Sequence, residues 1–296
     1  MNRFDRGHGP TMPPLDRTVA PVIAAALRED LNTGGDLTTD AVIPPGASIE
    51  AVIVAKEPGR ICGARIACNV FRTLDLTIRC RIVTPDAVDV AAGETIAELA
   101  GPARPVLTGE RTALNLLAHL SGIATLTAAY VDAVSGTGVR IADTRKTTPG
   151  LRVLEKYAVR CGGGSNHRFG LDGAVLIKDN HVALTGGVAA AIERARRAVG
   201  HTVMIEVEVE DLDQLEEALD AGADLVLLDN MPPDRLRRAV ALAKGRAIIE
   251  ASGGITLDRV RTIAETGVDV ISIGRLTHSA PALDVSLDVT PAAREA

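Results

Sequence analysis

The sequence predicts an α/β protein built in two parts, a strand-rich N-terminal sandwich and a C-terminal run of βα units around a parallel sheet. Three observations carry this. Strand-like segments crowd the first part with few helices to cross between them. β-branched runs then alternate strictly with helical periodicity to the end of the chain. Helix punctuation falls where capping chemistry wants it, with Pro233 near a start and Gly222, Gly245 and Gly267 near ends.

Taken in order, residues 1–14 are polar, carry several Gly and Pro, and read as a flexible tail. The sandwich occupies residues 15–120. It opens with a helix over Pro21–Asp30, followed by strands at Ile49–Lys56, Leu76–Val83 and Thr95–Leu99 and a helix at Gly63–Leu74. Pro44-Pro45-Gly46, Pro58-Gly59 and Ala92-Gly93 supply turns. A long helical region runs from Thr108 to Val134 and is expected to break near Ser121-Gly122. The second domain, 121–282, holds strands at Val139–Ala142, Ala174–Ile177, Val203–Val209, Leu225–Leu228, Ala247–Glu250 and Val270–Ile273. Helices are expected at Leu151–Val159, Gly187–Val199, Leu212–Ala221, Pro233–Ala243 and Leu257–Thr266. Two closures compete, an open doubly wound sheet and a barrel, which with these repeats would be small or incomplete.

Composition excludes several classes. A net charge of −6 argues against a general nucleic-acid or anionic-membrane binder. Aromatics make up 2% of the chain and Trp is absent, so base-stacking platforms are not expected. No apolar run approaches membrane-spanning length, and Val19–Leu27 lacks the flanks of a signal peptide. Cys62, Cys68, Cys80 and Cys161 show neither C-x-x-C nor zinc spacing and read as reduced, mostly buried thiols of a cytoplasmic protein.

Chemistry-bearing residues gather just past the predicted strands, on the rim where barrel enzymes assemble their sites. Ser252-Gly253-Gly254 and Ile273-Gly274-Arg275 end consecutive strands and together suit a phosphate, although either alone would pass for a tight turn. Arg111, Arg145, Lys146, Arg168 and Lys178, with His167, form a cationic set suited to carboxylates and phosphates. Single charges are usually solvated, but Arg145, Lys146 and Lys178 directly follow apolar strands. Glu206 and Glu208 are two apart on one strand face, and Asp229 ends the next strand. They read either as ion-pair partners of these cations or as groups facing a sugar or Mg²⁺, with Glu208 and Asp229 ranked above Glu206 partly on the family resemblance that follows. The Gly162–Gly164 run lacks the Lys-Ser/Thr of a Walker loop and reads as a hinge that lets His167 and Arg168 reach a ligand. His8, His119, His181, His201 and His278 are expected to be structural or solvated.

These residues fall in ordered segments. Thr144–Gly150 (TRKTTPG), Glu155–Val159 (EKYAV), Asn166-His167-Arg168, Lys178–His181 (KDNH), Glu206–Glu210 (EVEVE), Leu228–Met231 (LDNM), Glu250–Ile255 (EASGGI) and Ser272–Gly274 recur together with Gly35–Thr39 (GDLTT) and Glu110–Asn115 (ERTALN). In this order they resemble the quinolinate phosphoribosyltransferases, over residues from about Leu27 to about Asp288. The resemblance implies an incomplete α/β barrel with an N-terminal α/β sandwich, to which segment 283–296 returns. It implies a homodimer or higher oligomer in which Arg111 enters the neighbour's site. Arg145, His167, Arg168 and Lys178 would join Arg111 in holding quinolinate. Phosphoribosyl pyrophosphate, with Mg²⁺ as cofactor near Glu208 and Asp229, would lie against Thr144, Lys146 and those two acids. Its 5′-phosphate would rest on Ser252, Gly253 and Gly254 and on Ile273, Gly274 and Arg275. Lys146, Glu208 and Asp229 would be catalytic.

Two other readings stay open on the residues themselves. A Schiff-base aldolase could use Lys178, although so many anion-binding groups would be superfluous to it. A carrier protein could use Val90–Leu107, whose short strands and Gly turn have a lipoyl-like rhythm without the exposed Lys between turn residues.

Overall fold

The computed structural model describes residues 13–14 and 16–291 of the 296-residue chain. The tail expected at 1–14 lies outside the described residues up to residue 12, as do residues 292–296 of the returning segment.

Helix α1 (Asp16–Leu31) buries Val19, Ile23 and Leu27, one per helical turn, and starts before the expected Pro21 because Asp16 favours the positive helix start. Asp36 caps α2 (Leu37–Val42) by accepting from Thr39 N at 2.9 Å. β1 (Ser48–Ala55) and β2 (Gly59–Arg60) precede α3 (Ala64–Leu74). The start of α3 is capped from afar: Asp86 Oδ1 accepts from Gly63 N and Ala64 N, both at 3.0 Å. β3 (Arg79–Ile82), β4 (Asp89–Val90), β5 (Thr95–Pro102) and α4 (Ala103–Ala133) follow.

Two expectations are corrected here. The long helix does not break at Ser121-Gly122; α4 runs through both. Gly122 is there for close approach, since a Cβ would sit 1.9 Å from the Pro281 carbonyl oxygen. Ser121 Oγ accepts from Cys62 N at 3.0 Å and donates to the Cys62 carbonyl at 3.2 Å. By length and composition α4 could also cross a bilayer, but 56% of its most apolar window is buried inside the protein, as in a core helix. Nor are all the thiols reduced: Cys68 on α3 and Cys80 on β3 form a disulfide with a Cα–Cα distance of 5.8 Å. The two are 12 residues apart, and it is the helix-to-strand fold-back that brings them together. Cys62 and Cys161 are free and buried.

The remaining elements are β6 (Arg140–Ala142), α5 (Arg152–Cys161), β7 (Val175–Ile177), α6 (Asp179–Thr185), α7 (Val188–Ala198), β8 (Ile205–Val209), α8 (Leu212–Asp220), β9 (Leu225–Asp229), α9 (Pro233–Ala243), β10 (Ile248–Ser252), α10 (Leu257–Ala264), β11 (Val270–Ser272), α11 (Arg275–His278) and β12 (Val285–Pro291). Helix α6 is not visible in the hydrophobic pattern, because none of its residues is buried.

Contacts group the chain into two units. One comprises 16–128, Thr148–Gly163 and 277–291, around an antiparallel sheet of order β12-β1-β5-β3. Ile53 is fully buried there, paired with Leu287 on one side and Ala97 on the other. β5 lies inside this sheet, between β1 and β3, so Val90–Leu107 is not a detachable carrier module. The other unit comprises Ala129–Thr147 and Gly164–Leu276, around a parallel sheet of order β6-β11-β10-β9-β8-β7. This grouping does not change at the 120/121 boundary read from sequence. Helix α5 joins the antiparallel unit because Glu155 bonds His119 (2.9 Å) and Tyr157 bonds Asp86 (2.7 Å).

The parallel strand order decides the closure. β7 to β11 add in sequence on one side without reversal, and β11 then pairs with β6, the first strand. A doubly wound sheet would reverse at a switch point; this order is a barrel, open between β6 and β7. At that opening Ser165 makes a single parallel bridge to Ala142. The fold is the incomplete α/β barrel with a separate antiparallel sheet. Ile205, Val207, Val209, Val226 and Leu228 are fully buried, as strands covered on both faces require.

Candidate active site

Strand register determines which side chains share the inner face. Arg140, Val270, Glu250, Leu227 and Glu208 lie in one cross-strand row, with Leu176, Glu206 and Leu225 in a second and Asp229 and Ser252 in a third. Alternation then places all of these on one face of the sheet. Arg140 from β6, Glu206 and Glu208 from β8, Asp229 from β9 and Glu250 from β10 therefore converge where apolar filling would be the norm.

The loop after β6 turns tightly. Lys146 N donates to Thr144 Oγ1 (3.0 Å) and Thr147 N to the Arg145 carbonyl (3.0 Å). Fully buried Asp143 accepts from Asn166 Nδ2 (2.6 Å) and His167 N (2.8 Å), tying Asn166-His167-Arg168 to the end of β6. Arg168 donates through Nη1 to the Ala174 carbonyl (2.8 Å). Burial and then the Arg145 charge pull its pKa down, while Glu206 opposes them. The Nε atoms of Arg145 and Arg168 are both buried without a hydrogen-bond partner. Two guanidinium groups from separate loops thus repel one another, an arrangement that an anion would relieve.

Lys178 follows β7 and pairs with Glu208 at 2.5 Å. An amine held in that pair is not free to attack a carbonyl, which speaks against the Schiff-base reading. His181 Nδ1 accepts from Lys178 N (2.9 Å), a structural role. Glu206, ranked low from sequence, is 3% exposed and bonds His167 Nε2 through Oε2 at 3.1 Å. Glu250, 2% exposed, stands 3.8 Å from the same nitrogen. Burial, and next the Glu206 charge, push the Glu250 carboxyl up to about 7.

A second region lies beyond β9 and β10. A cavity of about 180 Å³ is lined by Asn230, Ser252, Gly253, Gly254, Ile255 and Arg259 among others. Asn230 adopts φ 52° and donates through Nδ2 to Asp229 Oδ2 (2.8 Å). Its Oδ1 lies 2.2 Å from where a Cβ on Gly253 would stand, and Gly253 has φ 99°. Gly253→Ala is therefore expected to cost about 1–3 kcal/mol, measurable by urea unfolding; an unchanged midpoint would contradict the close approach. Ile273 is buried and donates from its N to the Ala142 carbonyl (2.9 Å), while exposed Arg275 starts α11. Arg111 is exposed on α4 in the other unit.

Sequence reasoning did not single out Asp143, Asn230, Glu250 or Arg259 as site residues. Glu250 had left a signal, an acid inside an otherwise apolar strand. Among the described residues two clusters have metal-ligand composition, His167–Glu206–Glu250 and Cys62–Asp86–Cys161. Neither suits a metal as it stands. His167 Nδ1 accepts from Arg168 N (2.7 Å), so its proton occupies Nε2. Asp86 already accepts from Gly63 N, Ala64 N and the Tyr157 hydroxyl.

Residues 36–121 match the family model of the quinolinate phosphoribosyl transferase N-terminal domain, and residues 123–288 match that of the C-terminal domain. The chain belongs to the quinolinate phosphoribosyl transferase family. The probable nicotinate-nucleotide pyrophosphorylase [carboxylating] of Bacillus subtilis is 50% identical over 262 residues, covering 88% of this chain and 90% of that protein. The nicotinate-nucleotide pyrophosphorylase [carboxylating] of Homo sapiens is 41% identical over 281 residues, covering 93% and 92%. Among solved structures, NadC from Streptococcus pyogenes superposes with a TM-score of 0.92 at 40% identity, covering 95% of this chain and all of that one. The fold is thus that of a quinolinate phosphoribosyl transferase.

Proposed function

We infer that the chain transfers the phosphoribosyl group of phosphoribosyl pyrophosphate to quinolinate with loss of carbon dioxide, giving nicotinate mononucleotide and pyrophosphate for NAD synthesis. It is a carboxylating nicotinate-nucleotide pyrophosphorylase by family, a pentosyltransferase. The observation that carries the reading is the pair of buried, partner-poor guanidinium edges of Arg145 and Arg168. A dicarboxylate relieves that repulsion in bidentate geometry. Lys178 adds a third cation and Arg111, from a second subunit of a homodimer, a fourth. His167 sits beside them.

The donor's 5′-phosphate fits the Ser252–Gly254 turn and the Ile273–Arg275 turn, where the Gly253 backbone allows close approach. Thr144 and Lys146 lie by the diphosphate. Glu208 and Asp229 offer the carboxylate oxygens that hard cations prefer, so Mg²⁺ carried in with the diphosphate fits beside them. When bound it neutralises charge on the leaving group. Glu208 and Asp229 hold the ribose hydroxyls and favour the positive charge that develops at C1 as pyrophosphate departs. The pyridine nitrogen attacks C1, the ring becomes cationic, and the adjacent carboxylate leaves as carbon dioxide with its electron pair drawn into the ring. A proton then replaces it. Positioning and electrostatics suffice for this sequence. Substrates this highly charged do not cross bilayers unaided, which supports a cytoplasmic location.

The test is carbon dioxide release from carboxyl-labelled quinolinate. Release is expected only with both phosphoribosyl pyrophosphate and Mg²⁺ present. No release with both, or equal release without the donor, would overturn the reading.

A further inference from the structure

The inner face carries two acids that binding and transfer do not use. Glu206 on β8 and Glu250 on β10 are almost fully buried, and Oε1 of each lacks a hydrogen-bond partner. Between them stands His167. Its Nδ1 accepts from Arg168 N at 2.7 Å, so that nitrogen bears a lone pair and the imidazole is the neutral Nε2–H tautomer. Nε2–H donates to Glu206 Oε2 at 3.1 Å, with Glu250 Oε1 3.8 Å away. Both ring nitrogens are thereby committed within the protein. The backbone is committed as well, since His167 N donates to Asp143 Oδ1.

The groups facing Glu250 are Glu206 on β8, His167 on the loop before β7, Arg140 on β6 and Ser272 on β11. Arg168 acts on Glu206 in turn. Burial and the neighbouring Glu206 charge favour the protonated form of Glu250, while any charge on His167 opposes them. A divalent cation is the other conceivable occupant, but the proton on Nε2 leaves no nitrogen lone pair for it.

We propose that Glu206 and Glu250 are positioning residues for quinolinate turnover: flanking the His167 ring at Nε2, they hold it in place, and through its Nδ1 fix Arg168 against the dianion. His167 then acts through Arg168 and not as a ligand contact of its own. The proposal rests on the quinolinate reading for its kinetic test, but not for its spectroscopic one.

The sign of the pH effect follows from the raised acid. Glu250 is protonated below about pH 7 and the network holds one negative charge. Above that it gains a second, and the carboxylates repel. In the wild-type enzyme kcat/KM for quinolinate should fall as pH rises through about 7. Glu250→Gln keeps the shape and removes the ionisation, so this limb should vanish. Glu250→Ala should raise the KM for quinolinate about tenfold or more, with the KM for phosphoribosyl pyrophosphate little changed. A limb that persists in Glu250→Gln, or parallel losses for both substrates, would overturn the proposal. If Glu250→Ala fails to fold, the Gln profile alone decides.

Nitrogen NMR of the His167 ring separates this idea from the functional one. A neutral Nε2–H tautomer at about pH 6.5, seen in substrate-free protein, supports the clamp even if quinolinate is not turned over. A protonated ring or an Nδ1–H tautomer would overturn it even if quinolinate is the substrate.

Discussion

Lys146→Ala is expected to lower kcat about 10²–10³-fold while the protein keeps its fold. The side chain is exposed, and the turn that carries it is built by the Thr144 hydroxyl and the Arg145 carbonyl, both left in place. Its proposed work is on charge that grows as the diphosphate leaves, so kcat and kcat/KM should fall together. Steady-state carbon dioxide release, with circular dichroism as the fold control, measures this. Lys146→Arg should recover part of the rate, because it restores the charge without the geometry. Turnover within about threefold of wild type in Lys146→Ala would remove Lys146 from the mechanism.

Subunit mixing is expected to give the second large effect. Arg111→Ala and Lys178→Ala should each be nearly inactive alone. If Arg111 serves the neighbour's site, a mixed dimer holds one fully wild-type site and one site lacking both residues. Random reassembly of equal amounts then restores about a quarter of the wild-type sites. Activity that stays at the level of the separate variants, with mixed dimers verified by mass, would exclude a site shared between subunits.

Much of the fold was legible because buried parallel strands and capped helices leave strong local patterns. The strand runs around Val207, Val226 and Ile271 lie where the β-branched clusters fall, and α9 spans the residues from its Pro to Ala243. The misses share a physical cause: they depend on what lies across space. Gly122 resembles a helix breaker until Pro281 is seen against it. Cys68 and Cys80 resemble ordinary core thiols until α3 folds back along β3. Helix α6 buries nothing and has no periodicity to detect.

The candidate site was legible at its cations, which stand out just after apolar strands. It was less legible at the buried partners that aim them. Asp143 looks like one more loop polar residue, and the strand alternation puts Glu206, which faces His167, on the same face as Glu208, which faces Lys178. Only the three-dimensional neighbours divide those two acids, one sealed in and the other partly exposed.

The returning strand constrains how the molecule is made. β12 lies beside β1, so residues such as Ile53 and Leu287 must meet across nearly the whole length of the polypeptide. During translation the ribosome exposes all six barrel strands before it releases the last strand of the first sheet. Until then β1 offers a bare edge of unpaired amides to any extended segment nearby, so the nascent chain carries an adhesive border that waits for β12 to seal it.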